Sequence, residues 1–152
     1  MGLAQEVEIL KRIPLFANID PAKLKLMCFA SERVVFKGEE VLCRQGEVGD
    51  SAFIILDGAA DVRVKRPEGT MTVATLTKND IVGEIAILCD VPRTATVVAA
   101  GEVVTLKVTK DLFFSMVRDF PEIGIEIMRV LAHRLEQTTG QLLAARAAAQ
   151  AS

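Results

Sequence analysis

The feature that most restricts the fold of this chain is a series of short apolar runs between residues 33 and 108. Examples are residues 34–36 and 53–56, and turn-forming stretches such as Gly46–Asp50 separate successive runs. Each run is rich in β-branched or aromatic residues and too short for a helix, so it predicts a strand. Strands at such close intervals indicate antiparallel pairing rather than βαβ units. We therefore expect residues 31–108 to form an antiparallel β-roll of the jelly-roll type.

Helices are predicted before this β region, within residues 1–30. Apolar residues recur at helical spacing at Leu3, Val7 and Leu10. Asp20-Pro21 predicts the start of a second helix, because an aspartate caps free amides and proline fits the first helical turn. The side chains that this second helix is predicted to bury are Leu24, Met27 and Cys28.

Two further helices are predicted within residues 109–145. Thr109 is expected to cap the first, and Phe120-Pro121 separates it from a long helix that begins near Glu122. Residues 144–151 are rich in alanine but have little to bury, so we expect them to fray. The whole chain, residues 1–152, is then a single mainly β domain with flanking helices, of the α+β class.

The long helix carries two apolar sides. One follows a and d heptad spacing, which favours a homodimer through this helix. The other contains Ile123 and Ile127, which can face the β-roll. The alternative is that the heptad side itself packs on the roll. The residues of the heptad seam are Met128, Leu131, Leu135, Thr138, Leu142 and Ala145.

Composition argues against several kinds of function. The net charge is −2 and the chain has no Trp or Tyr, so we expect no nucleic-acid partner. The single histidine, His133, is predicted to lie on the surface of the long helix. One histidine cannot supply a metal site built from several imidazoles or a nucleophile–histidine pair. We therefore expect no catalytic residues, no metal and no cofactor beyond a bound ligand.

Cellular location is inferred from the cysteines and from apolar runs. Cys28, Cys43 and Cys89 have no paired spacing, which argues against a disulfide framework and favours a reducing cytoplasm. No run is apolar enough for a membrane span, and the N-terminus does not resemble a secretion signal. We expect a cytoplasmic protein without a membrane partner.

Residues 81–97 are the part of the sequence that points to a ligand. Gly83 follows two β-formers and precedes a short apolar segment, so the backbone can approach a ligand closely there. The first amides of a short helix at this point attract an anion. Arg93 adds a forked cationic donor. Glu84 would repel a phosphate but would accept a hydrogen bond from a sugar hydroxyl attached to it.

This stretch resembles the phosphate-binding cassette of cyclic-nucleotide-binding domains. That family includes bacterial catabolite activators, regulatory subunits of cyclic-nucleotide-dependent kinases and gated ion channels. The resemblance is carried by Gly83-Glu84-x-Ala86-x-Leu88 followed by Pro92-Arg93-Thr94-Ala95-Thr96-Val97. It implies that Glu84 holds the ribose 2′-hydroxyl and that Arg93 pairs with the cyclic phosphate. Backbone amides near Ile85, Ala86 and Ala95 would complete the cradle.

The identity of the base is addressed by three threonines. The long helix resembles the dimer helix of catabolite activators, which implies that Thr138 and Thr139 read the adenine amino group, one from each subunit. The alternative is that both are solvated threonines beside Gly140. Thr94 is compatible with the phosphate, but in some family members a hydroxyl there favours guanine. We expect cAMP as the ligand and keep cGMP open.

The resemblance implies a sensor that binds a cyclic nucleotide and signals to an unknown protein effector by moving its C-terminal helix. Catabolite activators continue into a DNA-binding domain, and this sequence stops before one. One alternative is therefore the sensor half of a transcription regulator. A vestigial, non-binding interaction module is another. A cupin-type metalloenzyme is a third, which the single histidine disfavours.

Overall fold

The computed structural model describes residues 2–89 and 91–151, apart from the side chains of Ile85 and Ala86. In this part of the chain there are eight strands and five helices. The strands form two four-stranded sheets with antiparallel pairing. The expectation of a mainly β roll flanked by helices is confirmed.

The two sheets are named by their position relative to the helices. The helix-side sheet has the order β1-β8-β3-β6, and the outer sheet has the order β2-β7-β4-β5. The strands are β1 (Glu32–Phe36), β2 (Val41–Cys43), β3 (Ser51–Asp57), β4 (Ala60–Arg66), β5 (Gly69–Leu76), β6 (Ile81–Val82), β7 (Thr96–Ala99) and β8 (Val103–Thr109).

Two helices begin at the predicted caps. Asp20 accepts a hydrogen bond from the Ala22 amide at 2.9 Å, and Thr109 accepts one from the Leu112 amide at 3.1 Å. No described helix is long and apolar enough to cross a lipid bilayer. The helices are α1 (Leu3–Lys11), α2 (Pro21–Ala30), α3 (Glu84–Cys89), α4 (Lys110–Asp119) and α5 (Pro121–Ala151).

The C-terminal end of α5 differs from the prediction. The expected end of the helices near residue 145 is wrong because α5 continues to Ala151. The expectation that residues 144–151 fray stays a prediction. The last turns are exposed, so burial does not hold them. Alanine has the highest helix propensity of any residue, and an alanine-rich end can extend a helix that packing has already nucleated.

The core consists of two layers separated by the helix-side sheet. Successive residues of β3 point to opposite faces, as strand geometry requires. Ala52, Ile54 and Leu56 belong to the cluster shared with the helices. Phe53 and Ile55 belong to the cluster between the two sheets. Because β3 is covered on both faces, it is a fixed base for the loops at its ends.

The two sides of α5 have different surroundings. Ile123 and Ile127 are buried against the core that the helices share, as predicted. Met128 is 62% exposed and Leu135 is 68% exposed. The alternative that the heptad seam packs on the β-roll is therefore wrong, while the homodimer through this seam stays a prediction.

An ion pair with a buried carboxylate attaches α1 to the helix-side sheet. Glu6 of α1 is fully buried and accepts a hydrogen bond from the Arg33 guanidinium of β1. Its second carboxylate oxygen has no hydrogen-bond partner within the described residues. A carboxylate in this position depends on one cation, because removing a partner leaves an uncompensated buried charge.

We predict that Arg33→Met lowers the free energy of unfolding by about 2 kcal/mol, since it leaves the Glu6 carboxylate without its partner. The Arg33 side chain is 45% exposed, so the expected loss lies below that of a fully buried pair. Urea unfolding measures the change. Arg129→Met is the control, because the Arg129–Glu126 pair lies on the surface. Equal losses of unfolding free energy in Arg33→Met and Arg129→Met would contradict the dependence of the Glu6 carboxylate on Arg33.

Candidate functional site

A pocket with a volume of about 160 Å³ lies where β6 and the start of α3 meet the segment that leads into β7. Gly83, Glu84, Arg93, Thr94 and Ala95, all predicted from the sequence, contribute to it. Polar chemistry comes mainly from Glu84, Arg93 and Thr94. The other lining residues are Cys43, Val62, Leu76, Ile81, Val82, Pro92 and Val97.

Gly83 connects β6 to α3 with a backbone conformation that suits glycine. Its φ is 90°, in the left-handed region that side chains disfavour. Its carbonyl accepts a hydrogen bond at 3.4 Å from the amide of Ile87, and this bond belongs to the first turn of α3. The helix thus begins directly at the pocket. The backbone of Ile85 and Ala86 belongs to α3, while their side chains lie outside the described part.

The Arg93 guanidinium is held with one nitrogen engaged and one nitrogen available. Nη2 donates a hydrogen bond to the Ser51 carbonyl at 2.7 Å. Nη1 is buried and has no hydrogen-bond partner among residues 2–89 and 91–151. A buried cationic donor without a partner costs free energy, so this nitrogen is suited to an anionic ligand.

Two glycines enclose the same guanidinium. A Cβ atom built on Gly49 would lie 2.5 Å from Arg93 Cζ, and one built on Gly83 would overlap Nη1. Real Cβ atoms essentially never approach so closely. The flat guanidinium therefore occupies a narrow slot, and both walls are backbone.

The backbone of Arg93 is fixed by the turn before β3. Its amide donates to the Glu47 carbonyl at 2.8 Å, and its carbonyl accepts from the Gly46 amide at 2.8 Å. Val48 and Pro92 form an isolated antiparallel bridge beside these bonds. This two-sided attachment explains how a residue in an irregular segment has a defined position.

Glu84 faces the long helix as well as the pocket. Its carboxylate lies 3.9 Å from Arg134 Nη1 of α5, and its side chain is 19% exposed. The cassette and α5 are thus joined by an ion pair at the residue predicted to hold the ribose.

Thr94 and Ala95 follow Arg93 along the pocket. Thr94 is exposed, and Ala95 is half-buried. The Ala95 carbonyl lies 3.9 Å from Cys43 Sγ, at the margin of a hydrogen bond to sulfur. Burial raises the pKa of the Cys43 thiol, and the nearby Arg93 charge partly opposes that rise.

Thr138 and Thr139 lie on an exposed part of α5 and do not line the pocket. Within one chain the structure does not bring them to the cassette residues. Their predicted role in reading the base depends on a second copy and stays a prediction.

Sequence reasoning missed three residues that position Arg93 or Glu84. Gly49 lies in the predicted turn Gly46–Asp50 and was not predicted to belong to the site. Ser51 contributes a carbonyl, which every residue has, so no sequence signal marks it. Arg134 lies one helical turn before Thr138, on the helix whose threonines were predicted to read the base. That spacing could have indicated that Arg134 also lies near the site.

Comparison with known proteins agrees with this geometry. The family profile named "Cyclic nucleotide-binding domain" matches residues 33–120. A CRP-like cAMP-activated global transcriptional regulator of Mycobacterium tuberculosis is 30% identical over 136 residues, which cover 89% of this chain and 61% of the regulator. A cAMP-dependent protein kinase regulatory subunit of Mycosarcoma maydis is 36% identical over 94 residues, covering 62% of this chain and 18% of that protein.

A solved structure extends the likeness to the whole fold. The N-terminal domain of a transcriptional regulator from Streptomyces coelicolor A3(2) superposes with a TM-score of 0.81 and 26% identity. The match covers 88% of this chain and 93% of that one. The fold and the cassette define a β-roll of the cyclic nucleotide-binding type with a C-terminal helix. The chain belongs to the cyclic nucleotide-binding domain family.

We predict that the three thiols differ in reactivity with Ellman's reagent at pH 8. Cys89 is exposed, whereas burial raises the pKa of Cys43 and raises that of Cys28 to about 11. A higher pKa leaves less thiolate, the reactive form, until the pH approaches that pKa. Cys89 should therefore react first and Cys28 last. A Cys89→Ser variant assigns the fast phase, and a fast phase that survives in this variant would contradict the ordering.

Proposed function

We propose that this domain is a cyclic nucleotide sensor that binds cAMP in the pocket between the cassette and the outer sheet. The observation that carries the proposal is Arg93 Nη1, a buried cationic donor that lacks a protein partner in the described chain. Glu84 lines the same pocket. Together they match a ligand with one anionic group and one neighbouring hydroxyl, such as a ribose cyclic phosphate.

In this proposal each polar group has one task. Arg93 pairs with the cyclic phosphate through Nη1 while Ser51 keeps Nη2. Glu84 accepts a hydrogen bond from the ribose 2′-hydroxyl. The first amides of α3 and the segment near Ala95 add donors to the phosphate. The pairing is strengthened because water is largely excluded around the guanidinium.

The base is held mainly by apolar contact. Val62, Leu76 and Val97 line the pocket, and Thr94 is the one hydroxyl-bearing residue among the described residues that line it. Thr138 and Thr139 would read the base one from each subunit, in a dimer whose α5 helices pair through the exposed heptad seam. That arrangement favours adenine, and Thr94 leaves cGMP as the second candidate ligand.

Signalling is proposed to pass through the Glu84–Arg134 pair. A ribose hydroxyl that donates a hydrogen bond to Glu84 changes the interaction of the Glu84 carboxylate with Arg134, which lies 3.9 Å away on α5. Ligand binding then shifts an existing equilibrium between two positions of α5, by as much as the ligand's affinities for them differ. The output is recognised by a protein effector in the cytoplasm, consistent with three free thiols. We propose that the domain has no catalytic activity.

A second candidate is the sensor part of a transcription regulator. The Streptomyces structure supports this candidate, because it is the N-terminal domain of a transcriptional regulator. The match to this chain covers 93% of that domain. The chain spans 61% of the length of the Mycobacterium regulator. Ligand binding is the same in both candidates, and they differ in what α5 controls.

We predict that cAMP raises the unfolding temperature and that Arg93→Leu removes the effect. A ligand at about a hundred times its dissociation constant adds roughly 2.7 kcal/mol to stability. Losing the guanidinium should weaken binding by about 3 kcal/mol, because a desolvated phosphate loses its charge partner. Thermal unfolding with cAMP, cGMP and AMP, on protein refolded free of nucleotide, measures this. Arg129→Leu is the matched surface control. Equal shifts in wild type and Arg93→Leu would exclude the cassette as the binding site.

We predict that Glu84→Ala narrows the preference for cAMP over 2′-deoxy-cAMP. Wild-type protein should bind the ribose form about tenfold more tightly, because a hydrogen bond to a charged acceptor is lost with the deoxy ligand. In Glu84→Ala the two affinities should converge. Isothermal titration with both ligands provides the comparison. A preference that persists in Glu84→Ala would assign recognition of the hydroxyl to another residue.

A further inference from the structure

We infer that Gly49 is a positioning residue for Arg93. Because it has no side chain, one wall of the slot stays flat and the guanidinium can lie against β3. This inference rests on the proposed function, since the task of Arg93 is to bind the ligand phosphate. Gly49 itself need not touch the ligand.

The geometry at Gly49 selects one nitrogen of the guanidinium. A Cβ on Gly49 would lie 2.5 Å from Nε and 2.6 Å from Nη2 of Arg93. Nη2 is the nitrogen that donates to the Ser51 carbonyl at 2.7 Å. A side chain at position 49 would therefore displace the bond that orients the fork. Gly49 thus determines that Nη1, rather than Nη2, is left for the anion.

The backbone does not require glycine at position 49. Its φ lies outside the left-handed region, unlike that of Gly83 at +90° and Gly46 at +88°. Gly46 has no described atom within 4 Å of an added Cβ, so conformation alone accounts for that glycine. At Gly49 the three nearest described atoms all belong to the Arg93 side chain. Two glycines of one turn are thus present for different physical reasons.

This difference makes Gly49→Ala a selective probe. The backbone accepts alanine, and the atoms that must move are the end of a flexible side chain rather than backbone. The variant should fold and should unfold within about 2 °C of wild type. Gly83→Ala is less informative, because its backbone strain would combine with the loss of the slot.

The experiment is a double-mutant cycle with cAMP titration. Gly49→Ala should lower the affinity about tenfold, the cost of displacing one charge-assisted hydrogen bond. The control is Gly38→Ala, a loop glycine whose added Cβ would lie 3.7 Å from Gly101 Cα, an ordinary contact. It should change affinity by less than about twofold. In an Arg93→Lys background Gly49→Ala should also cost less than about twofold, because a lysine ammonium does not fill the slot.

Equal losses from Gly49→Ala in the wild-type and Arg93→Lys backgrounds would assign Gly49 a general structural role and overturn the inference. A wild-type affinity in Gly49→Ala would do the same. A second readout is independent of nucleotide: the Arg93 Nε–H resonance, assigned by its disappearance in Arg93→Lys. It should shift or broaden in Gly49→Ala and stay unchanged in Gly38→Ala. If wild type bound neither cAMP nor cGMP, the proposed function would fail, and this resonance would still decide the role of Gly49.

Discussion

A half-buried guanidinium with one buried nitrogen that lacks a partner in the described chain is the constraint on which the rest of the site depends. Burying a cationic donor without an acceptor is unfavourable, so the surrounding structure has to supply the stability that keeps Arg93 in place. It does so with backbone groups: the Ser51 carbonyl, the Gly46 amide and the Glu47 carbonyl. These groups lie at the entrance to β3, the strand that is covered on both faces. The packed core therefore fixes the position of a charged group that lies outside it.

Contacts between residues far apart in the sequence bring three chain segments together around Arg93 and Glu84. The turn before β3 holds the arginine, β6 and α3 supply Gly83 and Glu84, and α5 approaches Glu84 through Arg134. Because α5 also buries Ile123 in the shared core, the cassette and the core meet the same helix. Glu84 therefore contacts a helix whose far end is exposed.

Much of the fold was predictable because its determinants are local. Turn residues separated the strands, and Asp20 and Thr109 marked helix starts that the structure retains. The end of α5 was predicted wrongly, because a rule about burial was applied to alanines that propagate a helix without it. At the site, Glu84 and Arg93 were found by residue type and spacing. Gly49 was not, because a glycine in a turn has many explanations and only its neighbour in space distinguishes them.

The sequence by itself determined the family, the order of strands and helices, and the two charged residues that face the pocket. These follow from periodicity, capping and a spaced motif, all of which act over a few residues. Only the tertiary structure decided which nitrogen of Arg93 is available, that Arg134 pairs with Glu84, and that Ser51 accepts from the guanidinium. The two contacts join residues more than 40 positions apart in the chain. Such contacts depend on how sheets and helices pack, and no local pattern encodes them.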